Sequence, residues 1–416
     1  MFSPLTAGNN SIAQRYAPTS DTQLLTWLSL MFFLSFVPFA GLKPTQFMLL
    51  LLCLGLTLFR IPRCDRRAGW LYFVIVAIGV SQAIGVDLST VDEKNWIRPT
   101  GFPLFLLVGV LAAKFGRAVQ IEKQGQYIKR VSTWLLWFFA VDCITRLLFS
   151  PYLHQRLVDA SPSGYVPETD PLFYRYKMSF FFGDGNNAGL ALLCLIALML
   201  AYHRDVGGKR IFIAFVLMLG TISRASIFAA LCQYIIYRYW RFRRWLLLSA
   251  IVLVPLIIIA LMSSYSASGA DEFKQFDGSF ASKLMLLDQM VAIYSDADLK
   301  LKLFGIGAGN LEGLINIAAH NIAVTFAIEF GVIGSICVVC YVWLLARKSA
   351  LAGYLLVLPM VINGFALVLT STPYFYLVLG LLGGLTTWPG PPGAVVGVTV
   401  ESPPVEGDAQ CLSSAY

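Results

Sequence analysis

The chain has 416 residues, of which 57% are hydrophobic and only 13% are charged, and its formal net charge is +8. Soluble domains carry about 25% charged residues, so this composition excludes an ordinary soluble protein and indicates a membrane protein. The basic residues lie in short clusters between apolar runs rather than along one helix face, a pattern that sets membrane orientation and argues against nucleic-acid binding.

The apolar runs, taken in chain order, predict an all-α, polytopic membrane protein with about 12 transmembrane helices, since a crossing needs roughly 17 to 25 residues. The weakest pair of runs is separated by Ser223 and Arg224. These two runs, 211–222 and 225–240, form either two crossings or one interrupted helix with a re-entrant segment. The predicted runs are 22–40, 44–60, 69–86, 99–114, 132–150, 187–202, 211–222, 225–240, 245–263, 321–346, 350–369 and 373–388.

Every second connection between the runs is rich in Lys and Arg, which places these connections and both termini in the cytoplasm. Residues 1–21 are expected to form a cytoplasmic arm with no cleavable signal peptide, 22–388 the transmembrane domain, and 389–416 a flexible, proline-bearing cytoplasmic tail. The two long connections, 151–186 and 264–319, then face the periplasm.

The second periplasmic connection also contains apolar residues at helical spacing, which predict an amphipathic helix along the outer membrane surface. Such a helix could cover a cavity between the crossings. The residues that form this stripe are Phe280, Leu284, Leu287, Val291 and Tyr294.

Ionisable residues at membrane depth are candidate functional residues because a charge is costly to bury there. Arg224 lies in the segment 221–226, at the outward end of two runs. Its guanidinium can hold a diphosphate bidentately, or it can extend to the interface or pair with a carboxylate. Arg175 and Lys177 precede the crossing that contains Asn187, and they fit either a site for charged, hydroxyl-bearing ligands or an ordinary aromatic belt.

Three further residues are candidates at the same side of the membrane. His320 and Asn321 lie at the start of run 321–346. An imidazole there can accept a proton from an attacking sugar hydroxyl, or it can simply hydrogen-bond a loop. Lys283, at the edge of the amphipathic stripe, faces either the cavity or open water.

Two pairs of charged residues have simpler interpretations. Asp142 and Arg146 are four residues apart on one crossing, which predicts a structural ion pair. Asp296 and Asp298 have the spacing of a metal-binding DxD sequence, but a solvated acidic loop is the favoured interpretation. No metal and no cofactor are predicted.

Three segments in this order resemble the O-antigen ligase and polymerase superfamily, the Wzy/WaaL-like integral membrane glycosyltransferases. TISRAS (221–226) is similar to the T-x-S-R-G/A pattern of that family. LFGIGAGNL (303–311) and HNIAVTFAIEFGVIGS (320–335) follow, the latter similar to its H-N…E-x-G-x-x-G pattern. The resemblance covers roughly Arg175 to Leu345, and the first four crossings agree only in being hydrophobic.

The resemblance implies an undecaprenyl-diphosphate-linked oligosaccharide donor and a glycosidic bond made on the periplasmic face without metal or nucleotide. Arg224 would then bind the diphosphate, His320 would act as base or orient the acceptor hydroxyl, and Arg175 would be a second donor-binding cation. Where the family has a loop arginine, this chain has Lys283, whose ammonium cannot bind bidentately.

The expected function is therefore polymerisation of lipid-linked repeat units for a capsule, exopolysaccharide or O antigen in the bacterial inner membrane. The alternatives are an O-antigen ligase that transfers glycan to lipid A-core and, from another class, a lipid-linked oligosaccharide flippase. Expected partners are the lipid-linked donor and acceptor, membrane lipid, and a chain-length regulator and flippase of the same pathway.

Overall fold

The computed structural model describes residues 66–86, 97–118, 121–160, 176, 178–179, 181–246, 286–311, 321–347, 349–364 and 372–384, together with a few isolated positions. Nearly all of these residues are helical. The helices are α1 (Arg66–Gly85), α2 (Ile97–Ala118), α3 (Ile121–Ala160), α4 (Gly185–Ala201), α5 (His203–Val206), α6 (Gly208–Gly220), α7 (Arg224–Arg238), α8 (Leu299–Phe304), α9 (Ile322–Val324), α10 (Gly331–Ala346), α11 (Leu358–Gly364) and α12 (Pro373–Gly384).

Several shorter elements connect these helices. Two π-helical turns, Thr325–Phe330 and Ala352–Val357, lead into α10 and α11, and a 3-10 turn, Trp240–Phe242, follows α7. Two short strands, β1 (Met178–Ser179) and β2 (Gly183–Asp184), form an antiparallel hairpin before α4. The prediction of an all-α protein is confirmed for the described residues apart from this hairpin.

Two helical stretches, Gln124–Tyr152 and Ile322–Ala346, are long and apolar enough to cross a membrane. Five shorter helices of 10–17 residues are also apolar: Gly69–Gly85, Gly101–Lys114, Gly185–Ala201, Ala352–Gly364 and Pro373–Gly384. The count of about 12 crossings stays a prediction, because runs 22–40, 44–60 and 245–263 lie wholly or mostly outside the described residues, and segments 1–21 and 389–416 lie wholly outside them.

The structure corrects the first long connection of the sequence prediction and describes part of the second. Helix α3 continues to Ala160, through Pro151, so the first ten residues of the predicted connection 151–186 are helical. The apolar run ends at residue 150 because the helix becomes polar there, not because it stops. In the second connection, residues 286–296 are helical, and Leu287 and Tyr294 of the predicted stripe pack against a small cluster that includes Ile328, while Val291 is 58% exposed. The stripe residues Phe280 and Leu284 lie outside the described residues.

Helix α4 lies at the centre of the bundle. Every one of its residues from Ala188 to Ala201 is buried, and it packs against α7, α6 and α12. The outer helices instead present large apolar side chains on their exposed faces, as is typical of helices that contact lipid. Examples are Trp70, Phe73, Phe212, Ile336 and Trp343.

Candidate functional site

The turn between α6 and α7 presents Arg224, the first residue of α7, at the surface. Ile222 in this turn has φ = 57° and is the only described non-glycine residue with positive φ. A β-branched residue in the left-handed region is a rare outlier that costs about 1–2 kcal/mol. Ser223 then caps α7, because its hydroxyl accepts a hydrogen bond from the Ser226 backbone N–H.

A buried arginine from α3 holds this strained turn in place. The Arg146 Nη1 donates to the carbonyl oxygens of Gly220 (3.2 Å) and Thr221 (3.0 Å). Its Nη2 pairs with the Asp142 carboxylate, and the two side chains are only 3% and 0% exposed. Asp142 also accepts a hydrogen bond from the Ser179 hydroxyl in β1. The predicted intrahelical pair is confirmed, and it has the additional task of anchoring the turn before Arg224.

The start of α4 is bonded to the same turn. Asp184 caps α4 by accepting from the Asn187 backbone N–H at 2.8 Å and from the Asn186 side-chain amide at 3.2 Å. The Asn186 Oδ1 accepts from the Ser223 hydroxyl at 2.9 Å, and the Asn187 Nδ2 donates to the Phe182 carbonyl at 3.1 Å. Asn187, a predicted substrate-binding residue, therefore makes hydrogen bonds that hold the hairpin against the start of α4.

The second and third sequence segments of the resemblance form one structural unit. The backbone N–H groups of Ile306 and Gly307 donate to the carbonyl oxygens of Ile328 (2.9 Å) and Glu329 (3.0 Å). Gly331 has φ = 61°, and a Cβ there would lie 2.5 Å from the Gly305 nitrogen. Only glycine fits this approach, so the glycine-rich loop and the turn before α10 depend on each other.

The π-helical turn at Thr325–Phe330 explains how these carbonyls become available. An i→i+5 turn shifts the regular helical bonding, so some carbonyl oxygens are open to other partners. Ile328 and Glu329 offer theirs to the glycine-rich loop, and the Phe326 carbonyl accepts from the Ser335 hydroxyl at 2.8 Å. π-turns of this kind are frequent at functional sites.

Asn321 lies just before this turn, and 1% of its surface is exposed. Its Oδ1 accepts from the Ala323 N–H at 2.9 Å and so caps α9, while its carbonyl accepts from the Thr325 hydroxyl at 3.0 Å. This second predicted substrate-binding residue thus fixes the backbone that follows His320.

The C-terminal end of α11 contacts both the start of α7 and the start of α9. The Ser226 hydroxyl in α7 donates to the Asn363 Oδ1 in α11 at 3.1 Å. The next residue, Gly364, packs against the Ile322 side chain, to which a Cβ would come within 3.1 Å. The starts of α7 and α9 therefore lie at the same end of the bundle, called here the Arg224 end, together with the start of α4.

Of the predicted site residues, Asn187 and Asn321 lie with Arg224 at this end of the bundle. The other predicted site residues, His320, Arg175, Lys177 and Lys283, lie outside the described residues. The sequence prediction missed the contribution of Asn186, Ser226 and Asn363, although polar residues in or beside apolar runs are a recognisable signal. Comparisons with protein-family models and with curated proteins return no match.

Proposed function

We propose that this chain is an integral membrane glycosyltransferase that polymerises undecaprenyl-diphosphate-linked oligosaccharide repeat units on the periplasmic face of the bacterial inner membrane. One observation carries the proposal. The segment that bears Arg224 is a strained turn, and it lies at the bundle end where α9, the helix that follows His320, also begins. Strained backbone held in place by its surroundings is typical of active sites and ligand clamps.

The position of Arg224 on its helix adds to this argument. Helix α7 has 15 residues, and its N-terminus carries about half a positive charge, so a cation in the first turn is disfavoured by about 0.3–1 kcal/mol. A bound diphosphate would offset this cost, because both the guanidinium and the helix N-terminus favour an anion. The guanidinium and the helix N-terminus thus favour the same kind of ligand.

The proposed reaction is a single inverting displacement. The acceptor hydroxyl attacks the anomeric carbon of the donor, the bond from that carbon to the diphosphate oxygen breaks, and undecaprenyl diphosphate leaves with the electron pair. His320 takes the proton of the attacking hydroxyl. Arg224 stabilises the negative charge that develops on the departing diphosphate, and Arg175 is the second donor-binding cation.

Purified protein in detergent, supplied with a short lipid-linked oligosaccharide, provides the test. The wild type should lengthen the glycan. Arg224→Ala should lower the rate about 100- to 1,000-fold, the usual loss when a charge-stabilising donor is removed, and Arg224→Lys should retain an intermediate rate because charge without bidentate geometry remains. The matched control is Arg238→Ala, an exposed arginine at the other end of the same helix, which should keep the wild-type rate.

The substitution His320→Ala tests the proposed base in the same assay. If neither His320→Ala nor Arg224→Ala reduces the product, the enzyme assignment is wrong. Lengthening in detergent, where no second membrane compartment exists, would also exclude a flippase that only transports.

The ligase alternative differs in its acceptor, which would be lipid A-core instead of another lipid-linked unit. Expression in polymerase-null and ligase-null strains separates the two. A restored ladder of chain lengths in the polymerase-null strain supports the polymerase. Capping of core by single units in the ligase-null strain would identify a ligase.

A further inference from the structure

A groove between α3 and α6 lies far from the Arg224 end. It is lined by Lys129, Arg130 and Arg210 and, next to them, by Trp134 and Trp137, and it is an open groove of about 450 Å³. Lys129 precedes Arg146 by 17 residues on the same helix, about 25 Å at 1.5 Å per residue. The groove is therefore separate from the candidate active site.

The cationic end of the groove is preorganised. The Arg210 Nε donates to the Thr133 hydroxyl at 3.0 Å, and its Nη1 donates to the Val206 carbonyl at 2.9 Å. Thr133 in turn donates to the Lys129 carbonyl at 2.7 Å. These bonds fix the guanidinium plane of Arg210 beside the exposed side chains of Lys129 and Arg130.

Among the lining residues that the structure describes, none carries a carboxylate. The Asp205 carboxylate lies against Gly125, one turn of α3 before Lys129, and is not part of the lining. The three cations that the structure places in this groove, Lys129, Arg130 and Arg210, therefore present a concentrated positive charge to a ligand.

The face of α3 below the cations is apolar and exposed. Trp134 and Trp137 are 62% and 69% exposed, and the same helical stripe continues with large aliphatic side chains that are 46–67% exposed. A cationic head region followed along one helix face by tryptophan and then by aliphatic residues matches an interfacial belt above hydrocarbon. The aliphatic residues of the stripe are Val141, Ile144 and Leu148.

We infer that this groove binds an anionic phospholipid of the cytoplasmic leaflet. Its phosphate would lie among Lys129, Arg130 and Arg210, and its acyl chains would run along Trp134 and Trp137. Basic grooves at the cytoplasmic ends of transmembrane helices are the expected sites for such head groups. The inference depends on the proposed membrane orientation but not on glycosyl transfer, so the two can fail separately.

Tryptophan quenching tests the site directly. The protein is reconstituted into phosphatidylcholine vesicles that contain increasing fractions of phosphatidylglycerol with brominated acyl chains, which quench tryptophan on contact. The double variant Lys129→Gln/Arg130→Gln should weaken the apparent affinity for phosphatidylglycerol about 25-fold, at about fivefold for each cation. The double variant Trp134→Phe/Trp137→Phe should lose the component of quenching that saturates at low phosphatidylglycerol fractions, whereas quenching of lipid-facing tryptophans such as Trp70 and Trp343 should still rise in proportion to the brominated fraction.

Two controls make the result specific. Lys129→Arg/Arg130→Lys exchanges the residues without changing the charge and should bind like the wild type. Arg241→Gln/Arg244→Gln removes two exposed positive charges at the same end of the bundle but outside the groove lining and should change the affinity less than twofold. Both neutralised side chains of the test variant are exposed, so folding should be unaffected.

Three outcomes would overturn the inference. The test variant could bind phosphatidylglycerol like the wild type. The Arg241/Arg244 variant could lose as much affinity, which would mean general attraction to an anionic surface. Inorganic phosphate could displace the quenching lipid at millimolar concentration, which would assign the groove to a free anion instead of a lipid.

Discussion

The substitution Arg146→Gln tests the buried ion pair that holds the turn before Arg224. Without the guanidinium, the Asp142 carboxylate stays fully buried, with the Ser179 hydroxyl as a neutral partner. Removing one partner of a buried pair typically costs about 3–5 kcal/mol. The Gly220 and Thr221 carbonyls also lose their donor, at about 1–3 kcal/mol for a carbonyl left unsatisfied. We therefore expect a loss of at least about 3–5 kcal/mol in the free energy of unfolding.

A double-mutant cycle measures how much of this loss belongs to the pair. Asp142→Asn leaves an uncompensated guanidinium, whereas Asp142→Asn/Arg146→Gln removes both charges, so the double variant should lose much less than the sum of the two single losses. The assay is equilibrium unfolding by SDS titration of the protein in mixed micelles. Arg130→Gln, an exposed arginine on the same helix, is the control and should stay within about 0.5 kcal/mol of the wild type. Additive losses, or an Arg146→Gln variant as stable as the control, would refute the reasoning.

Two further predictions concern backbone geometry. Gly331→Ala should lower the free energy of unfolding by more than about 2 kcal/mol, since φ = 61° and a Cβ 2.5 Å from the Gly305 nitrogen both oppose it. Gly353→Ala, with nothing within 4 Å of the new Cβ, should be neutral or stabilising by up to about 1 kcal/mol in the same titration. Ile222→Gly should keep the unfolding free energy within about 1 kcal/mol, because relieved strain offsets lost rigidity, yet slow oligosaccharide lengthening about tenfold, whereas Ile222→Val should not. Unchanged lengthening in Ile222→Gly would show that the strained turn has no part in the reaction.

Most of the described helices could be predicted from apolar runs alone. Runs 69–86, 99–114 and 187–202 correspond to α1, α2 and α4 within four residues at either end. Hydropathy detects the part of a helix that avoids water, and it cannot detect a polar continuation such as 151–160 of α3. The same criterion does not distinguish a crossing from a short apolar helix, so the number of crossings does not follow from the described helices.

The site was less predictable, because its organisation depends on contacts between residues far apart in the chain. Arg224 and the Asp142–Arg146 pair stand out locally as charges in or between apolar runs. That Arg146 would reach a turn 75 residues later, or that Asn363 would bond Ser226 across 137 residues, requires knowledge of how the helices pack. The left-handed conformation of Ile222 was equally invisible, since isoleucine normally avoids it.

The hydrogen bonds at the Arg224 end also bear on the choice between an enzyme and a flippase. A flippase alternates by moving one group of helices against another, which opens each face in turn. At this end, α3 and α4 are both bonded to the α6–α7 turn, α7 to α11 through Ser226 and Asn363, and α12 to α4 through Tyr374 and the Asn187 carbonyl.

Opening between these helices would break buried hydrogen bonds, at about 1–3 kcal/mol for each group left unsatisfied. It would also draw apart the contacts that surround the Asp142–Arg146 pair. A transferase gains from the same rigidity, because charges that are already in place stabilise a departing diphosphate without a cost of reorganisation. A site preorganised in this way suits the proposed glycosyl transfer, and lengthening of lipid-linked oligosaccharide in detergent is the measurement that separates it from transport.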